Sequence, residues 1–233
     1  MDLLTDEHVV AIAAQLEEQA RSIPDGVAGL GERKHMEPGT VRALGPTFGE
    51  RVEKDRKVAI PHWSHVGNVD LIVRDAPGSK TPSVVGELKW CGPGRDVLYE
   101  GIWDMFKIAL ATTREDHPTG YLISGAEMAM WDNSAFSDLF DTAVHDPAEL
   151  CSRHLPDRKQ TIAWDDLLRG GYDHHPDRVP TRIETREVGR APIGEWELRV
   201  VQVFASVGEW LTMEGGWPGG KRPADAAHPQ AEL

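Results

Sequence analysis

Polar and apolar positions along this chain follow two different periods, and each change of period marks an element. Val9, Ile12, Ala13, Leu16 and Ala20 recur at helical spacing. Thr5 supplies an N-cap, and Asp6 and Glu7 suit a first turn, so the pattern predicts a helix over 5–22. Residues 24–49 are rich in Gly and Pro and read as loop with a short helical piece. "RVEKDRKVAI" (51–60) reads as a strand, polar first and apolar at its end, and "PHWSHVGN" as a turn. Residues 69–74 and 83–90 are two more strands. The breaker cluster "DAPGSKTP" between them predicts an antiparallel hairpin. "DVLYEGIWDMFKIALATT" (96–113) has the strongest helical stripe in the chain: Leu98, Ile102, Met105, Phe106, Ala109 and Leu110. "TGYLISGA" (119–126) is a short buried strand. Its place after a helix predicts a crossover that joins it in parallel to an earlier strand.

Further along, Ser134 is placed to cap a helix carrying Phe136, Leu139 and Phe140. Asp146, Pro147 and Glu149 form the N-terminal signature of another helix. Residues 161–169 read as one more short helix, ending at Gly170–Gly171. Residues 181–188 and 195–204 alternate on either side of "GRAPIG" and read as a hairpin. The stretch from Gly215 is rich in Gly, Pro and Ala and reads as a disordered tail. The organisation expected is a core over 1–126, helices and a hairpin over 127–214 packed on or extending it, and a tail over 215–233.

Composition changes this picture little. The chain has 233 residues, of which 40% are hydrophobic and 27% charged, as in ordinary globular proteins. No apolar run reaches membrane-spanning length. The acidic start does not read as a targeting peptide, so a cytoplasmic protein is expected. Cys91 and Cys151 make neither a disulfide framework nor a zinc site by spacing. His62, His65 and the "DHHPD" stretch (173–177) sit in turn-rich segments and read as loops.

Charge matters more. The net charge of −13 argues against nucleic acid as a partner, because such binding leans on Lys and Arg. The acidity lies in the flanks, however. Residues 51–120 hold ten acids and ten bases, with a basic cluster at Arg51, Lys54, Arg56 and Lys57 suited to phosphate contacts.

The hairpin carries the chemistry. Asp70 opens one apolar strand, and Glu87 and Lys89 interrupt the other. Antiparallel pairing brings Asp70 back toward Glu87 and Lys89. The last two are two residues apart and share a face. Two carboxylates and the Leu88 carbonyl between the side chains offer oxygen ligands to a hard divalent cation. Lys89 would act on water or on transition-state charge. The plain alternative is a set of cross-strand ion pairs, but "SVVGELKWC" is too apolar for a solvated strand.

Asp70, sixteen residues, then Glu87-Leu88-Lys89, within this order of elements, resembles the PD-(D/E)XK or restriction-endonuclease-like nuclease superfamily. The resemblance covers roughly residues 5–126. It implies an α/β fold with a mixed central sheet flanked by helices, and Mg²⁺-dependent (alternatively Mn²⁺-dependent) cleavage of nucleic acid, DNA before RNA. Asp70 and Glu87 match the metal carboxylates and Lys89 the lysine; no proline precedes Asp70, a departure from the pattern. The family often adds a first-helix glutamate, for which Glu17 is preferred over Glu18, and a polar residue on the helix after the lysine. Glu100, Asp104 and Lys107 share a face there, with Lys107 within reach of a phosphate. As a group these three read better as a solvated helix face. The rival expectation is a non-catalytic member of the same fold, a protein-binding or regulatory subunit. A protein partner at the acidic C-terminal region and a homodimer are both open.

Overall fold

The computed structural model describes residues 3–31, 33–62, 67–91, 97–132, 134–154, 178–205, 208–214 and 217–218. Helices α1 (Asp6–Ala20) and α2 (Arg33–Phe48) lead into strands β1 (Val52–Val58), β2 (Gly67–Arg74) and β3 (Pro82–Cys91). Helix α3 (Val97–Thr112) then crosses to β4 (Thr119–Glu127). Short helices α4 (Met128–Trp131) and α5 (Ser134–Ser137), strand β5 (Ala143–His145) and helix α6 (Pro147–His154) follow. Strands β6 (Arg178–Pro180), β7 (Ile183–Ile193), β8 (Trp196–Ala205), β9 (Trp210–Glu214) and β10 (Trp217–Pro218) complete the order.

Seven of these strands form one sheet in the order β1-β2-β3-β4-β8-β7-β5. Only β3 and β4 run parallel, as the α3 crossover requires; the other pairs are antiparallel. The fold is therefore mixed α/β with a mostly antiparallel central sheet flanked by helices. A small second sheet runs β10-β9-β6. Among the described residues no helix is long and apolar enough to cross a membrane.

Strand alternation feeds two cores, one on each sheet face. Leu71, Val73, Val84, Leu88, Tyr121, Ile123, Leu198 and Val200 pack with α1 and α2. Ile72, Val85, Cys91, Leu122, Ala126, Val201 and Val203 pack with α3. The α1 stripe Val9, Ile12, Ala13, Leu16 and Ala20 is buried throughout. Tyr121 ties down the chain before it, accepting a hydrogen bond from the Leu4 amide at 3.0 Å.

Three expectations need correction. Residues 24–49 are not mainly loop. They contain the 16-residue α2, despite Pro38 and Pro46 inside it. Met36, Thr40, Leu44 and Phe48 recur every fourth residue and are all buried, so packing outweighs low helix propensity. The C-terminal hairpin has no six-residue turn. Strands β7 and β8 run to a two-residue connection at Gly194–Glu195, where Gly194 takes φ +63°. This hairpin hydrogen-bonds to β4 and so widens the central sheet. Within the expected tail, Trp217 and Pro218 pair with β9. The helix expected over 161–169 and the rest of the tail lie outside the described residues. At α6, Asp146 does cap the helix, its Oδ1 accepting from the Ala148 amide at 2.7 Å and the Glu149 amide at 3.2 Å.

Candidate metal and phosphodiester site

Strands β2 and β3 pair from Arg74↔Pro82 to Leu71↔Gly86, and among the described residues their ladder goes no further. Beyond that point β2 continues along β1 as far as Gly67, while β3 continues along β4 as far as Cys91. The two strands part, and the gap opens where the charged residues stand. Asp70 is the first residue of β2 past the last pair; Glu87, Leu88 and Lys89 follow Gly86 on β3. The Asp70 carboxylate spans the gap, with Oδ2 accepting a hydrogen bond from the Leu88 amide at 2.9 Å. A strand residue directs its N–H and C=O to the same side, so the Leu88 carbonyl faces the gap as well. Alternation then sets Asp70, Glu87 and Lys89 on the α3-facing side, with Ile72, Val85 and Cys91.

Helix α3 supplies the other half of the cluster. Lys107 Nζ lies 2.6 Å from Glu87 Oε1 and 3.6 Å from Asp104 Oδ1, and donates to the Asn68 carbonyl at 3.2 Å. Lys89 Nζ lies 2.9 Å from Asp104 Oδ2. Side-chain exposure is 5% for Glu87, 13% for Asp104, 17% for Lys107 and 20% for Lys89. The lysine contacts on Glu87 Oε1 and Asp104 Oδ2 are short, and at Glu87 the Coulombic attraction of Lys107 exceeds its hydrogen bond.

Among the described side chains the cluster has three carboxylates, Asp70, Glu87 and Asp104, against two ammonium groups, Lys89 and Lys107. Burial pushes the Glu87 carboxyl well above its usual value; Lys107 opposes this, while Asp70 and Asp104 add to it. Burial works against the charge on Lys107, but Glu87, Asp104 and Asp70 outweigh it and raise its value. The local field thus favours added positive charge at Glu87.

The expected residues divide as follows. Asp70, Glu87, Leu88 and Lys89 come together, joined by Lys107. Asp104 also belongs here, which corrects the solvated-face reading of Asp104 and Lys107. Residues 102, 105, 106 and 108–111 of α3 are all buried. Charges interleaved with so wide an apolar surface are drawn into the interior, and that density of apolar neighbours was the available signal. For Glu100 the structure describes the backbone alone. Glu17 and Glu18 are exposed on α1, which packs on the opposite sheet face, so α1 brings no acid to the cluster.

The basic cluster does not form one patch. Arg51 donates to the Phe48 and Arg74 carbonyls and lies over the Phe48 ring. Arg56 pairs with Glu53 at 2.5 Å. Lys54 is exposed opposite Leu71, on the α1/α2 side. Lys57 is exposed opposite Asn68, whose carbonyl receives Lys107. Of these four, Lys57 is the one opposite the residue whose carbonyl receives Lys107.

Among the described residues no group of three or more His, Cys, Asp or Glu side chains is arranged to hold a metal ion. The donor chemistry in the gap is two carboxylates and a backbone carbonyl, all oxygen, which fits a hard cation that keeps several waters. Comparison with family models, curated proteins and solved structures gives no match for this chain.

Proposed function

We propose that this protein is a Mg²⁺-dependent nuclease with a restriction-endonuclease-like core, hydrolysing phosphodiester bonds in DNA in preference to RNA. One observation carries the reading. Asp70 and Glu87-Leu88-Lys89 meet where β2 and β3 part, in a cluster with more carboxylates than ammonium groups. The order helix, three antiparallel strands, crossover helix, parallel strand supports it.

In this reading Asp70, Glu87 and the Leu88 carbonyl hold the cation, with Mn²⁺ able to replace Mg²⁺. Bound there, the ion supplies Lewis acidity toward a phosphoryl oxygen and makes a bound water more acidic. The chain's own part is to position charge. The Leu88 amide fixes the Asp70 carboxylate. Asp104 holds the Lys89 ammonium beside the gap, from which it offsets the negative charge that grows on the phosphate as water attacks. Lys57 contributes a phosphate contact outside the gap. Cytoplasmic location and a homodimer go with this reading as expectations.

A second reading has one observation in its favour. Lys107–Glu87 and Lys89–Asp104 pair every charge of β3 with α3 and so join helix to sheet. In that case the protein is a non-catalytic member of the same fold, acting through a protein partner at its acidic C-terminal region. The two separate on one experiment: purified protein incubated with labelled DNA and RNA in Mg²⁺, Mn²⁺ or EDTA. Cleavage in either metal, lost in EDTA and in Asp70→Ala, supports the nuclease.

A further inference from the structure

We infer that Lys107 is a resident counter-ion of the metal carboxylates: its ammonium holds Glu87 when no divalent cation is bound and passes to Asp104 when one binds. This rests on the divalent-cation reading given above.

Three oxygen groups surround the Lys107 ammonium. Glu87 Oε1 on β3 is 2.6 Å away, the Asn68 carbonyl on β2 is 3.2 Å away, and Asp104 Oδ1 on α3 is 3.6 Å away. The ammonium therefore stands where the negative charge of the cluster is densest, beside the carboxylate a divalent cation needs. Two cations cannot share that place. Their repulsion is strong over a few ångströms, and burial keeps salt from screening it.

The geometry also provides an exit. Contact with Glu87 is short, and the lysine's hold there is more Coulombic than hydrogen-bonded. A doubly charged ion at the same oxygen outcompetes it. Asp104 precedes Lys107 by three residues and is its neighbour on the helix face. Lys89 takes Asp104 Oδ2, which leaves Oδ1 to receive Lys107. The flexible stem of lysine makes the short move without moving the helix. Without a cation, Lys107 keeps three carboxylates from repelling one another. It also sets a threshold that the incoming ion must exceed.

The test is Mn²⁺ binding to the purified full chain, measured by calorimetry. Lys107→Met should bind Mn²⁺ about tenfold more tightly than wild type, the effect of removing one nearby like charge. Lys107→Arg, which keeps the charge, should stay near wild type. Equal or weaker binding by Lys107→Met overturns the inference while leaving the metal site in place. Absence of Mn²⁺ binding by both wild type and Lys107→Met overturns the metal reading along with it. A wild-type measurement covers the case in which Lys107→Met does not fold. With ¹⁵N-labelled lysine, and the Lys107 Nζ signal assigned by its loss in Lys107→Arg, Ca²⁺ should shift that signal. An unmoved Lys107 signal at saturating Ca²⁺ overturns the inference.

Discussion

Asp104 on α3 and Lys89 on β3 meet at 2.9 Å, Oδ2 to Nζ, so the lysine of the strand motif is anchored to the crossover helix. The same carboxylate lies 3.6 Å from Lys107. Asp104→Ala therefore leaves two largely buried ammonium groups with less compensation. The expected loss is about 2–3 kcal/mol of unfolding free energy, somewhat less than for a fully buried pair because a fringe of each group meets water. Urea denaturation measures it. A loss below about 0.5 kcal/mol would mean that Asp104 is not holding the lysines.

Glu87→Gln tests the charge surplus through pH. Burial raises the Glu87 carboxyl above its usual range, so the fold favours its protonated form. A raised value contributes stability that is fully present below the unfolded-state value and is lost as pH rises through the folded-state value. Wild type should lose stability relative to Glu87→Gln from about pH 5 upward. Lys107, whose value is also raised, keeps its contribution across this window, since that is lost only at alkaline pH. Melting temperatures of both proteins from acid to neutral pH give the comparison. Parallel curves would contradict the raised value at Glu87.

Lys57 and Lys54 separate the two sides of the edge strand. Lys57 lies opposite Asn68, whose carbonyl receives Lys107, and Lys54 lies opposite Leu71, which packs with α1 and α2. In Ca²⁺, nucleic-acid binding by Lys57→Ala should fall and its salt dependence flatten by about one unit of slope. Lys54→Ala should match wild type. The reverse order would put the substrate on the other sheet face.

Strand chemistry was legible in the sequence for a simple reason. A period of two fixes which residues share a face, so Asp70, Glu87 and Lys89 could be grouped without a structure. Helix chemistry was harder. Asp104 and Lys107 have the spacing of an exposed ion pair, and the one sequence signal against that was the density of apolar residues around them on α3. Helix α2 was hidden by Pro38, Gly39, Gly45 and Pro46, although Met36, Thr40, Leu44 and Phe48 traced its buried face. The true turn of the C-terminal hairpin was obscured by Gly189 and Pro192. Both lie within β7, Gly189 at a register shift after Glu187 and Pro192 paired opposite Glu197.

The most direct test pairs two readouts on wild type and Lys89→Ala: Mn²⁺ affinity by calorimetry, and cleavage of plasmid DNA and single-stranded RNA in Mg²⁺. Lys89 acts on the reaction and lies outside the proposed ligand set. Wild type should bind Mn²⁺ and cut DNA; Lys89→Ala should bind Mn²⁺ within about threefold of wild type and lose cleavage by about a hundredfold or more. Wild type that binds no metal and cuts neither substrate, or Lys89→Ala that cuts at the wild-type rate, would contradict the account.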